Sequence, residues 1–283
     1  MWGSRSFKSR SSEGLAARRR RSRRRARAAL VVLLVILIGL CVYGLRQPFL
    51  RVNQIEVAAG DPSLAQYATD AMKGAYLGLI PRDSTLFVPE HAIRARILAD
   101  HADIAAVSIY HAGIRTIAIR ADVRTAVGRW CGLSPTPGAA EYCYLFDPNG
   151  FVYEALPEPL ATTTGSAPPQ TLNPFKIYAP LVGDAQEPLR ATIADADSLP
   201  AVFDFARQLA SLGSPVTDIV IQNGEVDDTL ASGSVVMYVL GQEQQAFAAL
   251  TSAKSDLNLS DGSVDYVDAR FPGKLYVKPV SGK

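Results

Sequence analysis

The sequence predicts an α+β protein: one N-terminal transmembrane helix, a small strand–helix–helix–strand–strand domain, and a mixed α/β domain on an antiparallel-rich sheet. Three observations lead there. An uncharged apolar run occupies Ala28–Leu45. Segments of two-residue and of helical apolar period then alternate over residues 49–121. Beyond residue 122, short β-rich runs punctuated by turn signals enclose two more helical stripes. The expected organisation is a basic tail (1–27), a span (28–45), a first domain (49–121) and a second domain (122–280) with a Pro-rich loop at 155–174. At 283 residues and 48% hydrophobic, the chain can build two cores of modest size.

The span is read from length and charge together. Ala28 to Leu45 is mostly Leu, Val and Ile, and its eighteen residues give about 27 Å of helix, close to the ~30 Å hydrocarbon core of a bilayer. Eleven of the 29 basic side chains (Arg5, Lys8, Arg10, Arg18 to Arg21, Arg23 to Arg25 and Arg27) and one of the 27 acids (Glu13) precede it. That leaves 18 basic against 26 acidic residues behind, so the overall net charge of +2 describes neither part. The far flank offers Arg46 and Arg51. Because Lys and Arg are retained on the cytoplasmic side, the N-terminus is expected inside the cell and residues 46–283 outside, as a single-pass protein of the cell (inner) membrane. A cleaved signal peptide would need a small-residue exit, whereas this run leaves through Tyr43-Gly-Leu-Arg-Gln-Pro-Phe49. Tethered at a membrane and without interleaved aromatics, the arginines suit anionic headgroups better than nucleic acid.

After the span, Phe49–Val57 reads as a strand through Val52, Ile55 and Val57, and Gly60-Asp-Pro-Ser breaks it. Ser63–Gly74 carries Leu64, Tyr67, Ala68, Ala71 and Met72 at helical spacing. A loop, Gly78–Thr85, leads to Leu86-Phe-Val and a second helix with Pro89 in its first turn and Ile93, Ile97 and Leu98 inside. Ile104–Tyr110 and Thr116–Arg120 are strands joined across His111-Ala-Gly-Ile114. Next come strands at Arg124–Cys131, Cys143–Phe146 and Phe151–Tyr153, the last two joined by Asp147-Pro-Asn-Gly150, which has Pro, Asn and Gly in successive turn positions. Five prolines among Thr and Ser make 155–174 a surface loop. Ser198 caps a helix to Leu212 with Val202, Phe203, Ala206, Leu209 and Ala210 as its stripe. Strands follow at Val216–Ile221 and Val235–Leu240, then a helix at Glu243–Lys254 and closing strands at Val264–Val267 and Lys274–Val277.

Reactive constellations are scarce in the pattern. His91, His101 and His111 have neither cysteines nor paired acids at ligand spacing and read as surface residues. There is no G-x-S-x-G, no S-x-x-K and no Gly-rich phosphate loop. Asp256-Leu-Asn-Leu-Ser-Asp-Gly262 hints at a calcium loop, but the places that need Gly and Glu hold Asp261 and Val267. No metal, cofactor or small-molecule substrate is expected. Cys41 lies in the span as an apolar filler. Cys131 and Cys143 flank a Gly/Pro-rich loop in the exported part and are candidates for a loop-closing disulfide, the alternative being two reduced, half-buried thiols.

In their order, these parts resemble the bacterial cell division proteins FtsQ and DivIB, from residue 28 to near the C-terminus. Phe49-Leu-Arg-Val-Asn-Gln-Ile-Glu-Val57 is similar to that family's first strand after the membrane, and Ser84-Thr-Leu-Phe-Val88 to its Gly-Asn-Leu-Phe stretch. Ile104-Ala-Ala-Val107 with Thr116-Ile-Ala-Ile119 resembles its closing hairpin. Ala126-Val-Gly-Arg-Trp130 and Leu145-Phe-Asp-Pro-Asn-Gly-Phe-Val152 resemble the first hairpin of its β domain. Tyr266-Val-Asp-Ala-Arg-Phe-Pro-Gly-Lys-Leu-Tyr-Val277 is similar to its C-terminal strand region. Tyr110–Arg115 and Asp122–Thr125 depart from the family's Arg-x-x-Pro and Glu-Arg-x-Pro, which marks a divergent member.

The resemblance implies a POTRA-type first domain, a β domain, and a non-catalytic scaffold of the division complex at the septum. Its implied partners are FtsB- and FtsL-type coiled-coil membrane proteins, bound by strand addition at the last strand. Carried over, Arg270, Phe271, Gly273, Lys274, Leu275, Tyr276 and Val277 are the partner-binding candidates. The alternative at those positions is that Leu275 and Val277 pack the core while Lys274 and Tyr276 are solvated. For the whole chain, the alternative is an anchored extracytoplasmic enzyme or envelope sensor, which needs a deep cleft, expected around Trp130 and Tyr142.

Overall fold

The computed structural model describes residues 12–136, 142–156, 173–182 and 187–280, with side chains from residue 25 onward. The protein is mixed α+β, an apolar N-terminal helix followed by a sheet-rich body. Most of the basic tail's side chains and most of the Pro-rich segment 155–174 lie outside the described residues. Helix α1 runs Ser12–Leu45. Within it, Arg25–Leu45 is long and apolar enough to cross a membrane, and no residue of that stretch is buried, although Val42, Gly44 and Leu45 at its end are partly covered. The body divides into two compact units, Met1–Ala99 with Ala106–Asp122, and Asp100–Ala105 with Val123–Lys283.

The first unit follows the order strand, helix, helix, strand, strand, with a short hairpin added between the helices. Its elements are β1 (Gln54–Ala59), α2 (Leu64–Ala71), β2 (Ala75–Tyr76), β3 (Ile80–Pro81), α3 (Glu90–Asp100), β4 (Ile104–His111) and β5 (Thr116–Val123). The sheet order is β1-β5-β4, with β1 parallel to β5 in the register Gln54↔Thr116. A parallel pair needs a crossover, and α2 and α3 supply it. Leu64, Ala68, Ile93, Ile97, Ile117 and Ile119 are buried between helices and sheet, as their spacing dictates. The strand expected from Phe49 begins later: Pro48 opens a 3₁₀ turn, Pro48–Leu50, and the ladder starts at Gln54. The first helix stops at Ala71, short of Gly74.

The second unit is built on eleven strands, nine of them in one sheet, and two helices. In chain order these are β6 (Gly128–Trp130), β7 (Tyr144–Phe146), β8 (Val152–Ala155), β9 (Lys176–Tyr178), β10 (Leu181–Val182), β11 (Thr192–Ile193), α4 (Leu199–Leu209), β12 (Val216–Gln222), β13 (Glu225–Leu230), β14 (Val235–Val239), α5 (Glu243–Ser252), β15 (Val264–Asp268) and β16 (Tyr276–Pro279). The large sheet has the order β16-β15-β14-β13-β12-β9-β6-β7-β8, and β10 pairs with β11 apart from it. Helix α4 crosses between parallel neighbours β9 and β12, and α5 between β14 and β15. Both helices bury their stripes in one core that includes Phe146, Phe175, Phe203, Phe205, Ile219, Val236 and Tyr238. Phe205 and Tyr238 stack with ring centroids 4.3 Å apart.

Local chemistry sets the turns. In Asp147-Pro-Asn-Gly150 the Gly150 N–H donates to the Asp147 carbonyl at 2.8 Å. The Asp147 carboxylate accepts the N–H groups of Asn149 and Phe151 and pairs with Arg124, which lies over the Phe151 ring. Engaged there, Arg124 does not extend a strand, and β6 is confined to Gly128–Trp130 instead of running from Arg124 to Cys131. Ser198 makes no side-chain cap; a 3₁₀ turn, Ala196–Ser198, leads into α4 instead.

Two further departures bear on function. Glu225–Leu230 is a strand where none was expected, joined to β12 through Asn223 and Gly224, both at positive φ. Its acids lower its β-propensity, yet Val226, Asp228 and Leu230 face the core and tertiary burial decides the outcome. The last strand begins at Tyr276, two residues later than Lys274. Lys274 N–H closes a turn on the Phe271 carbonyl at 3.1 Å, with Gly273 at φ +70, so the ladder starts only after the turn.

Candidate functional site

Strand β16 is the outermost of the nine and pairs antiparallel with β15, Asp268 opposite Tyr276, Val267 opposite Val277 and Tyr266 opposite Lys278. All four of its residues are exposed. Among the described residues no strand covers its other side. An edge strand sends every second N–H and C=O outward, so this rim offers unpaired backbone groups to an extended segment.

The far end of the same sheet is handled differently. There the outer side of β8 is occupied by the chain itself: Val152 donates to the Ala191 carbonyl at 2.9 Å, Arg190 to the Val152 carbonyl at 2.8 Å, and Phe151 bridges Thr192. Among the described residues, that edge is covered at Phe151 and Val152, whereas no strand lies outside β16.

The expected binding residues divide by role in the structure. Arg270 holds the turn. Its Nε and Nη2 donate to the two oxygens of Asp268 at 2.9 and 2.7 Å, its Nη1 to Glu225 at 2.7 Å, and its backbone N–H also reaches Asp268. These bonds keep the largely buried Asp268 carboxyl below the usual carboxylate range. Gly273 supplies the left-handed corner, and Leu275 packs against the core. Phe271 and Tyr276, each about half exposed, meet edge to face with centroids 5.3 Å apart. Val277 is 46% exposed, so it does not pack the core as Leu275 does.

An open edge strand needs protection, and the sequence offers Lys274, Lys278 and Pro279 for it. Lys278 bonds Asp265 at 2.7 Å over the Tyr266 ring and lies back on β15, and Pro279 has no N–H to offer. Together they blunt the distal half of the edge, the usual protection of an unpaired strand. Glu225 has no individual signal, because its partnership with Arg270 spans 45 positions, whereas Asp268 meets Arg270 two residues along the chain.

The remaining candidates lie elsewhere. Cys131 and Cys143 are joined in a disulfide linking the ends of β6 and β7. Six strand spacings of ~4.8 Å put that bridge on the order of 29 Å along the sheet from β16. Trp130 is buried, its indole N–H on the Ala179 carbonyl at 2.8 Å, while Tyr142 is exposed. His91 and His111 are exposed, and His111 Nε2 is 2.8 Å from the Thr85 carbonyl. Among the described residues no group of three His, Cys, Asp or Glu side chains is disposed to hold a metal.

A buried carboxyl lies beneath the helices. Asp228 is fully buried, and neither of its oxygens, nor the Tyr238 hydroxyl, has a well-formed hydrogen bond. Burial first, and the charge of Asp227 second, push it well above the ordinary aspartate range. No protein-family model matches the chain, and no curated protein matches it.

Proposed function

We propose that the chain is a membrane-anchored scaffold of the bacterial division complex, a divergent relative of FtsQ and DivIB. In this reading residues 49–121 are its POTRA-type domain and 122–280 its β domain. The N-terminus lies in the cytoplasm, and the body recruits FtsB- and FtsL-type coiled-coil partners at the septum without performing a reaction. The carrying observation is the asymmetry of the nine-stranded sheet: among the described residues the β8 edge is covered at Phe151 and Val152 by Arg190–Thr192, while β16 presents an uncovered rim beside an exposed Phe271–Tyr276 ring pair.

The rim fits strand addition. Backbone bonds to the edge give affinity, and the aromatic pair at its start gives the incoming strand a side-chain pocket and a register. Arg270 serves the site indirectly, because its bonds to Asp268 and Glu225 hold the turn that aims Phe271.

The test is a pull-down of FtsB- and FtsL-type partners with the Phe271→Asp, Tyr276→Asp double variant. Half of an aromatic side chain's ~200 Å² is available on each ring, and at ~25 cal/mol/Å² losing both contacts costs several kcal/mol at most. Binding is expected to weaken at least about thirty-fold, roughly 2 kcal/mol. Undiminished capture removes this site. A fluorescent fusion spread uniformly over the envelope, instead of gathered in a mid-cell band, removes the division reading.

A further inference from the structure

The first unit hangs several apolar turns from the segment that leaves the apolar helix. Arg46 follows Leu45, the last residue of α1, and is the first charged side chain after Arg27. In a bilayer crossed by that run, an arginine there lies in the headgroup layer. Its Nη2 donates to the Gly78 carbonyl at 3.1 Å and its Nε to the Leu79 carbonyl at 3.3 Å. The tip of the β2–β3 hairpin is therefore one side chain away from the membrane surface.

That tip breaks two local rules. Leu79 N–H closes on the Tyr76 carbonyl at 3.0 Å, and the residues between, Leu77 and Gly78, have φ of +50° and +72°. Two left-handed central residues make a turn that favours Asn, Asp or Gly at its first centre. Leucine stands there, and Leu77 is 97% exposed, with Leu79 53% exposed. A large apolar side chain in a left-handed, fully wet position is unfavourable on both counts unless something else covers it.

Other apolar tips join the same connection. Thr85 donates its N–H to the Leu50 carbonyl at 2.8 Å, and its hydroxyl lies 2.9 Å from the Ile114 carbonyl. This brings the exposed Ile114 and Leu86 beside the exposed Phe49. A cleft of about 820 Å³ opens at the base of the hairpin, lined by Ala75, Pro81, Arg46, Arg51 and Lys73, with Arg51 paired to Asp83 and Lys73 to Asp70. Apolar tips gathered around an arginine at the end of the apolar helix match a membrane interface.

We infer that this face of the first unit, led by Leu77 and Leu79, seats in the lipid interface at the C-terminal end of α1. The occupant is lipid because the tip's carbonyls are held by the residue that the span itself fixes in the headgroup layer. The unit is thus held to the bilayer at a second point beyond its anchor.

The full chain in phosphatidylcholine–phosphatidylglycerol vesicles tests this. In a Cys41→Ala background, an environment-sensitive fluorophore on Leu77→Cys is compared with one on Ala59→Cys, at the far end of β1. Headgroup-nitroxide lipids are expected to quench the label at 77 strongly, with a blue-shifted emission, and to leave the label at 59 unaffected. Equal response at the two positions overturns the inference. A label on the native Cys41 reports the span, so loss of its quenching by chain-nitroxide lipids overturns the anchor and the inference together. Adding Leu77→Asp and Leu79→Asp is expected to reduce quenching of a label on Phe49→Cys, and an unchanged signal there denies the hairpin its leading part. None of these readings involves β16, so they succeed or fail independently of partner binding.

Discussion

Replacing both Cys131 and Cys143 by alanine removes a cross-link between residues 12 apart in sequence. Closing a loop of that length withdraws entropy from the unfolded chain, worth about 3 kcal/mol at 25 °C in the chain-entropy account. The folded state has little reason to compensate. The Cys131 N–H remains on the Ile177 carbonyl at 2.8 Å, and the Trp130 and Tyr144 rings stay in contact across the β6–β7 pair. For a body the size of the second unit, about 2–4 °C is lost per kcal/mol, so its unfolding midpoint should fall by about 6–12 °C. Scanning calorimetry of the detergent-solubilised chain measures this. Reductant should lower the unmodified protein by the same amount and leave the double variant unmoved. A fall under about 3 °C, or a reductant effect that persists in the variant, refutes the loop-entropy reasoning. Below its new midpoint the variant should still bind through β16, because five strands of intact ladder lie between the bridged β6 and that edge.

Two other perturbations separate the forces inside the same unit. Asp228→Asn tests the buried carboxyl: since burial holds its folded value above the unfolded one, its contribution to stability is complete below about pH 3.8 and is lost as pH rises through the folded value. The asparagine variant should therefore be more stable than the parent at pH 7.5, by about 1–3 kcal/mol, with the gain shrinking toward pH 4 in urea unfolding; an equal gain at both pH values removes the electrostatic cause. Gly128→Ala would set a Cβ 2.4 Å from Cζ of the fully buried Phe146, so the ring or the strand must shift, at about 1–3 kcal/mol. The same change at Gly113, where the new Cβ meets only Thr116 at 3.6 Å, should cost little, and equal losses at the two sites contradict the packing argument.

What the residues determine by themselves is periodicity and punctuation. The uncharged run before Arg46, the stripes of α3 and α4, the turn at Asp147–Gly150 and the β4–β5 pair are all legible, because each rests on residues a few positions apart. Nearest-neighbour chemistry also explains some boundaries, including the 3₁₀ turn at Pro48 and the turn at Gly273 that delays β16. Strand β13 escaped because Asp227 and Asp228 spoil the alternation, although Asn223-Gly224 is a strong hairpin signal. Its core-facing side became visible only when α4 and α5 covered it.

The open rim belongs wholly to tertiary structure. That the β8 edge is covered at Phe151 and Val152 and β16 is not depends on pairing Phe151 with Thr192, on inserting β9 between β6 and β12, and on joining Glu225 to Arg270 across 45 positions. The same holds for the hairpin tip beside the helix end, where Arg46 meets Gly78 and Leu79 over 32 and 33 positions. A local pattern records which way each side chain faces. It carries no record of which backbone groups find partners, because those partners come from distant segments that only the folded sheet brings within hydrogen-bond reach.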